Sequence, residues 1–178
     1  MHDFLQRDID YVIRIDEILW GGALLAVTMA IHGVGMLQTL RLNAFLLERT
    51  RHNRTRFKAM VIIIIATWMI TLVSLFEVAL WAQCFVWLGA QPNNSSSLYN
   101  AILNYTTLNA GYLPVRWRLL EGMLGMAGLL SFAWSTGVLF SLVQPLTDEA
   151  LQAVRRKHAR QPPPKKGEPP PGGDSAQP

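Results

Sequence analysis

The chain has 178 residues, 51% of them hydrophobic and only 16% charged, with a net charge of +4 from 16 Lys and Arg against 12 Asp and Glu. Soluble domains carry about 25% charged residues, so this composition argues against an ordinary soluble globule. The small basic excess has to be read by position before it says anything about nucleic acid.

Residues 1–18 are acidic, with Asp3, Asp8, Asp10, Asp16 and Glu17 against Arg7 and Arg14, and Phe4, Leu5, Ile9, Val12 and Ile13 form one apolar face. An extracytoplasmic amphipathic segment is expected here. If outside, the same acids would also raise the cation concentration near the membrane surface. The segment lacks the basic start and cleavage site of a signal peptide, so the first span is expected to remain in the mature chain.

Residues 19–40 carry no charge apart from any on His32, residues 59–90 carry only Glu77, and residues 122–147 carry none. Each run exceeds the roughly 18 to 20 apolar residues that cross a hydrocarbon core about 30 Å thick. A buried helix of a soluble protein would keep a polar stripe, which these lack. Three transmembrane helices are therefore predicted, at 19–40, 59–90 and 117–145.

The linker at 41–58 holds Arg41, Arg49, Arg51, Arg54, Arg56 and Lys58, and another basic group, Arg155, Arg156, Lys157, Arg160, Lys165 and Lys166, follows the third span. Lys and Arg are retained on the cytoplasmic side, which puts the N-terminus outside and the C-terminus inside. Both groups read as topology signals in contact with membrane lipid rather than as nucleic-acid sites.

The second run is longer than one span requires, so it is expected to project beyond the outer leaflet, with Trp81 and Trp87 near the interface. Glu77 then lies toward the outer half of the membrane. Two readings of it stand: a carboxylate supporting or lining an ion path, or a hydrogen-bonded packing residue between helices. His32 is expected to hydrogen-bond a neighbouring helix.

Residues 91–116 are the most informative. Asn93 to Ser97 is rich in helix N-cap types, and the ten residues that follow, ending at Thr107, suit a helix of about 15 Å, half a membrane thickness. Leu108 to Pro114 then breaks regular structure through Asn109, Gly111 and Pro114. A half-length helix followed by irregular backbone between two spans describes a re-entrant loop, tolerated at membrane depth only when shielded by protein or lining water.

The run Tyr105-Thr106-Thr107-Leu108, then a glycine-containing segment, Trp117-Arg118-Leu119-Leu120, and a helix containing Phe132-Ala133-Trp134-Ser135-Thr136 resembles the pore module of bacterial potassium-channel-like proteins. The resemblance implies an all-α membrane protein in which 59–90 is the outer helix, 91–116 the pore helix and filter, and 117–145 the inner helix. It also implies four copies around one pore, a bacterial inner-membrane location and a permeant monovalent cation, potassium among the candidates. The first span and the tail lie outside the shared module.

The filter departs from that family's Thr-Val-Gly-Tyr-Gly. Without gaps the chain offers Thr107-Leu108-Asn109-Ala110-Gly111, which keeps one glycine and loses the aromatic ring; a shifted register instead aligns Gly111-Tyr112. Thr106 through Tyr112 are the candidate ion-path residues, and the missing glycines leave the inward turn of successive carbonyls unsupported. Glu77, Trp117 and Glu121 are candidate supports for that loop. Gly128 and Gly137 are candidate bends in an inner helix rich in small residues, which also allow close helix approach in lipid.

No cofactor is implied. Cys84 is the sole cysteine, no His or Cys cluster has metal-ligand spacing, and no nucleophile elbow, phosphate loop or convergent acid–base set marks an enzyme. Residues 146–178 read as a cytoplasmic tail, with a short basic helix at 148–160 and Pro-rich disorder from about 161. The sequence thus predicts a homotetrameric pore-loop cation channel with a non-standard filter. The competing reading is a non-conducting membrane scaffold or sensor that retains the pore-module fold.

Overall fold

A computed structural model describes residues 12–50, 56–108 and 111–159. The expected amphipathic segment at 1–11, the loop centre 51–55, Asn109, Ala110 and the Pro-rich tail lie outside the described residues. Among the described residues the fold has four α-helices and one 3-10 turn: α1 Ile15–Thr50, α2 Arg56–Trp87, α3 Asn94–Tyr105, the turn Val115–Trp117, and α4 Arg118–Ala159. There is no β-strand among the described residues. Three helical stretches, Ile15–Thr50, Phe57–Trp87 and Val115–Pro145, are long and apolar enough to cross a bilayer. The chain is an integral membrane protein.

The helices outrun the apolar segments. α1 continues ten residues past 40, through Arg41, Glu48 and Arg49, because this mixed stretch is rich in Leu, Ala, Arg and Glu and holds no Gly or Pro. α4 passes through Pro145 as one element, where the sequence suggested a span and then a separate basic helix. From Gln144 onward the chain is a distinct unit. Val12 and Ile13 precede α1 without helical structure and are exposed.

Both α2 and α3 end in the same way. At α2 the left-handed residue is Gly89 (φ 65°), with Gly89 N–H donating to Val86 O and Ala90 N–H to Phe85 O. This is a Schellman cap with glycine where the backbone needs no Cβ. α3 opens on Asn93, whose side chain accepts from Ser96 N–H at 2.9 Å and from the Ser96 hydroxyl at 2.6 Å.

Lipid removes most of the hydrophobic drive between helices, so close packing and hydrogen bonds hold the bundle. Gly35 of α1 lies where a Cβ would meet Val73 Cγ2 of α2 at 2.5 Å, which fixes the α1–α2 approach. The larger core cluster gathers Trp81, Phe85, Ala101, Leu113, Leu120 and Leu124 from α2, α3, α4 and the loop between. Within it Trp81 and Phe85 meet edge to face at 5.9 Å, a pairing that contributes about 1 kcal/mol beyond burial. A smaller cluster of Met36, Ile70 and Val138 lies further along the same three long helices. Trp81 is therefore turned into the bundle, with its Nε1–H donating to Thr28 Oγ1 at 2.8 Å, whereas Trp87 is exposed.

Candidate functional site

α3 lies against α2 and α4 and stops partway along them. Near its start the Ser97 hydroxyl donates to Ala82 O of α2 at 2.6 Å, and in its last turn the Tyr105 hydroxyl donates to Glu77 Oε2 at 2.7 Å. On the other side Tyr105 O lies against Gly128 of α4, where any Cβ would collide with that carbonyl. Glu77 is about 15 Å along α2 from its Trp87 end, and Gly128 about 15 Å along α4 from its Arg118 end, at about 1.5 Å per residue. The end of α3 thus lies about 15 Å in from these two helix ends.

Glu77 and His32 lie fully inside the bundle, each with 0% of its side chain exposed, and share a hydrogen bond between Nδ1 and Oε1 at 2.8 Å. Ser131 donates to Glu77 Oε2 at 3.2 Å, and Ser135 Oγ is 3.2 Å from His32 Nε2. Every heteroatom of the pair is therefore occupied, as an ionisable group in lipid requires. The cluster draws one group or more from each of the four helices: His32 from α1, Glu77 from α2, Tyr105 from α3, and Ser131 and Ser135 from α4. Gly128, Ser131 and Ser135 recur at helical spacing along one face of α4, with glycine admitting the α3 backbone and the two hydroxyls serving the pair.

Beyond Tyr105 the chain makes a second Schellman cap. Thr107 N–H donates to Asn104 O at 2.9 Å and Leu108 N–H to Leu103 O at 2.8 Å. Here the left-handed position (φ 64°) is held by a β-branched threonine. Side chains of that shape are rarely found there, and such strain persists only where the surroundings enforce it. Leu108 is 70% exposed and Tyr112 61%, and Thr106 and Thr107 are also exposed.

The return path is pinned by two polar contacts. Leu113 N–H donates to Glu121 Oε1 at 2.8 Å, and Gln91 Nε2 donates to Tyr112 O at 3.3 Å. Glu121 lies about 4.5 Å along α4 from Arg118, so the chain leaves α3 beside Gly128 and returns to the level at which α4 begins. Trp117 is buried in the same core, with the Arg116 guanidinium 4.9 Å above its ring. Gly111 holds φ 62°.

The candidate residues thus divide. Glu77 supports the end of α3, Glu121 the returning strand and Trp117 the start of α4, while Thr106, Thr107, Leu108, Gly111 and Tyr112 are left on an open face. Gly128 is explained by its contact with Tyr105, and Gly137 has open space around its Cα. Comparison with protein-family models, with curated proteins and with solved structures finds no match. Among the described residues no group of three or more His, Cys, Asp or Glu could hold a metal ion.

Sequence reasoning missed three members of the cluster. Tyr105 reads as part of a motif when its hydroxyl serves Glu77, and Ser131 and Ser135 read as small packing residues. Their spacing on the face that carries Gly128 is the signal that could have found them. On α3 itself, Asn100 and Asn104 are buried, with Asn104 Nδ2 donating to Asn100 O at 3.0 Å. Among the described residues Asn100 Nδ2 and Asn104 Oδ1 find no hydrogen-bond partner.

Proposed function

We propose that the chain is one subunit of a homotetrameric pore-loop cation channel whose filter is formed by residues 106–112. One observation carries this reading: α3 stops partway along α2 and α4, beside Glu77 and Gly128, and leaves exposed, non-helical backbone at Thr107, Leu108, Gly111 and Tyr112. Lipid cannot satisfy such backbone, so it has to face water or other protein. Copies arranged around an axis supply both, with the open face of each loop turned inward.

Charge favours cations. The C-terminal end of α3 carries the negative end of a helix dipole and lies nearest the bilayer centre. The basic linker and tail then lie in the cytoplasm, with residues 1–11 outside, in a bacterial inner membrane. Thr106 and Thr107 bring hydroxyls and carbonyls to the path, and Gly111 gives it one freely turned peptide. Thr107-Leu108-Asn109-Ala110-Gly111 makes potassium one candidate among monovalent cations.

The competing reading, a non-conducting scaffold or sensor built on the same module, is favoured by one feature, the filter positions that lack glycine. The test is reconstitution of the full chain into liposomes, with potassium, sodium and thallium flux measured alongside the oligomer mass. Cation flux through a tetramer is expected. A tetramer without flux would favour the scaffold, and a stable oligomer of another size without flux would overturn the channel.

A further inference from the structure

We propose that the α1–α2 hairpin holds one anionic phospholipid in a groove beside its linker, with the headgroup phosphate at Arg49 and Lys58 and an acyl chain along the apolar stripe of α2. The site lies on the first two spans and does not depend on whether the chain conducts.

α1 and α2 run antiparallel, and their contacts fall on facing positions. Thr28 meets Trp81, His32 meets Glu77 and Gly35 meets Val73. Continued about three turns toward the linker, the same register brings Leu46 opposite Ile62 and Thr50 opposite Lys58. At Gly35 the two helices are so close that an added Cβ would meet Val73 Cγ2 at 2.5 Å. Three turns further on, a cavity of about 410 Å³ lies between them. Ligand pockets span roughly 300 to 1,000 Å³.

The lining of this groove is graded. Arg49, Thr50 and Lys58 stand at the linker end, and Leu46, Val61, Ile62 and Ile65 continue into the spans. On α2 Lys58, Ile62 and Ile65 share one helical face over about 10 Å. Ile62 is buried, whereas Val61, Ile65 and Phe57 at the rim are exposed, so the groove is open along its outer side. A phospholipid in the same leaflet has the same gradient, with its phosphate at the interface and its hydrocarbon inward.

Charge selects the lipid. Two cations line the groove and no acid does among the described residues. Arg49 offers a phosphate the two-pronged contact of a guanidinium, and Lys58 a point charge. Lys58 is half-buried, as suits a stem that covers apolar surface while its ammonium reaches the headgroup level. A small inorganic anion would match the linker end and leave the apolar wall uncovered. A second copy, inserted with the same orientation, would bring its own basic linker to this level. An anionic lipid matches both ends, and seated there it joins α1 to α2 near the linker as the His32–Glu77 contact joins them further in. Arg41, about two turns earlier on α1, is exposed and does not line the groove, so it separates a built site from general attraction to an anionic surface.

The full chain in detergent is titrated with phosphatidylglycerol and with phosphatidylcholine of the same acyl chains, and the lipids bound per subunit are counted by native mass spectrometry. One phosphatidylglycerol is expected per subunit, held several-fold more tightly than phosphatidylcholine. Arg49→Gln should weaken it roughly fivefold and Arg49→Gln with Lys58→Gln at least about tenfold, whereas Arg41→Gln should stay within about twofold of wild type. Val61→Trp fills the groove without touching the charges and should displace the lipid. Equal binding of the two lipids, wild-type binding in the double variant, or an Arg41→Gln loss as large as that of Arg49→Gln overturns the site. So does unchanged phosphatidylglycerol binding in Val61→Trp; a smaller oligomer there, with lipid binding intact, assigns the groove to a second copy. Competition by glycerol phosphate at equal concentration would reduce the site to one for small anions, and also overturns it.

Should a variant fail to fold, the wild type decides alone. Phosphatidylglycerol carrying a diazirine near the start of one acyl chain is photocrosslinked to the full chain and the labelled peptides are mapped. Labelling concentrated at 46–50 and 57–65, competed by unlabelled phosphatidylglycerol and not by phosphatidylcholine, supports the proposal. Labelling spread along the exposed faces of α1 and α2 overturns it.

Discussion

Tyr105, the last residue of α3, donates its hydroxyl to Glu77 Oε2 at 2.7 Å, and its own carbonyl rests on Gly128. The two contacts hold the same residue from α2 and α4, and each can be removed separately.

Replacing Tyr105 with Phe keeps the ring and deletes the donor. A hydrogen bond to an ionisable acceptor contributes about 1.5 to 3 kcal/mol when charged and about 1 when neutral. The variant should lose about 1 to 2 kcal/mol, read as a lower melting temperature in detergent. Ser131→Ala, which removes the longer 3.2 Å bond, should cost less. An equal or greater loss in Ser131→Ala would mean that the phenol is not the main support of the helix end.

Gly128 and Gly137 were candidates for the same role, and the structure separates them. A Cβ at Gly128 meets backbone that cannot rotate away, so Gly128→Ala should destabilise by about 1 to 3 kcal/mol or more, as overpacking does. Gly137 has nothing within 4 Å of an added Cβ, so Gly137→Ala should leave stability unchanged to within about 1 kcal/mol. On the proposed channel reading, any effect of Gly137→Ala on open probability would then belong to bending of α4. Parallel melts and single-channel recordings of the two variants make the comparison.

Thr107 occupies a left-handed position that Gly89 fills at the equivalent cap of α2. Thr107→Gly should therefore raise stability, by about 1 kcal/mol, since a left-handed conformation costs a residue with a Cβ roughly 1 to 2 kcal/mol. The same change removes a hydroxyl from the proposed ion path. A higher melting temperature with reduced or less selective cation flux is expected. A lower melting temperature would show that the threonine side chain is itself stabilising.

Glu121 accepts the Leu113 N–H where the loop returns. Glu121→Ala leaves that buried donor without a partner and should cost about 1 to 3 kcal/mol. Glu121→Gln keeps an acceptor oxygen and should cost less. Hydrogen exchange at the Leu113 amide distinguishes them: fast in the alanine variant and protected in the glutamine variant.

The three spans were legible because nothing but a membrane suits such long uncharged runs, and the short helix because Asn93 and the serines announce its start. The limits of the helices were less so. Polar residues 41–50 and Pro145 look like ends, but propensity and continuing backbone bonds carry α1 and α4 past them. Glu77 and His32 each stood out as costly in lipid. Their pairing did not, because 45 positions separate them and only the rotation of α1 against α2 turns both inward. Trp81 shows the same limit: its indole looked interfacial and is instead tied to Thr28.

The order of synthesis gives the pairing a further consequence. α1 is made before α2, so His32 is already synthesised when the carboxyl-bearing segment leaves the ribosome. A chain trimmed to begin at α2 would present that carboxyl to the insertion machinery alone. The part from α2 onward is for this reason not detachable from α1, since Glu77 Oε1 would lose its 2.8 Å partner.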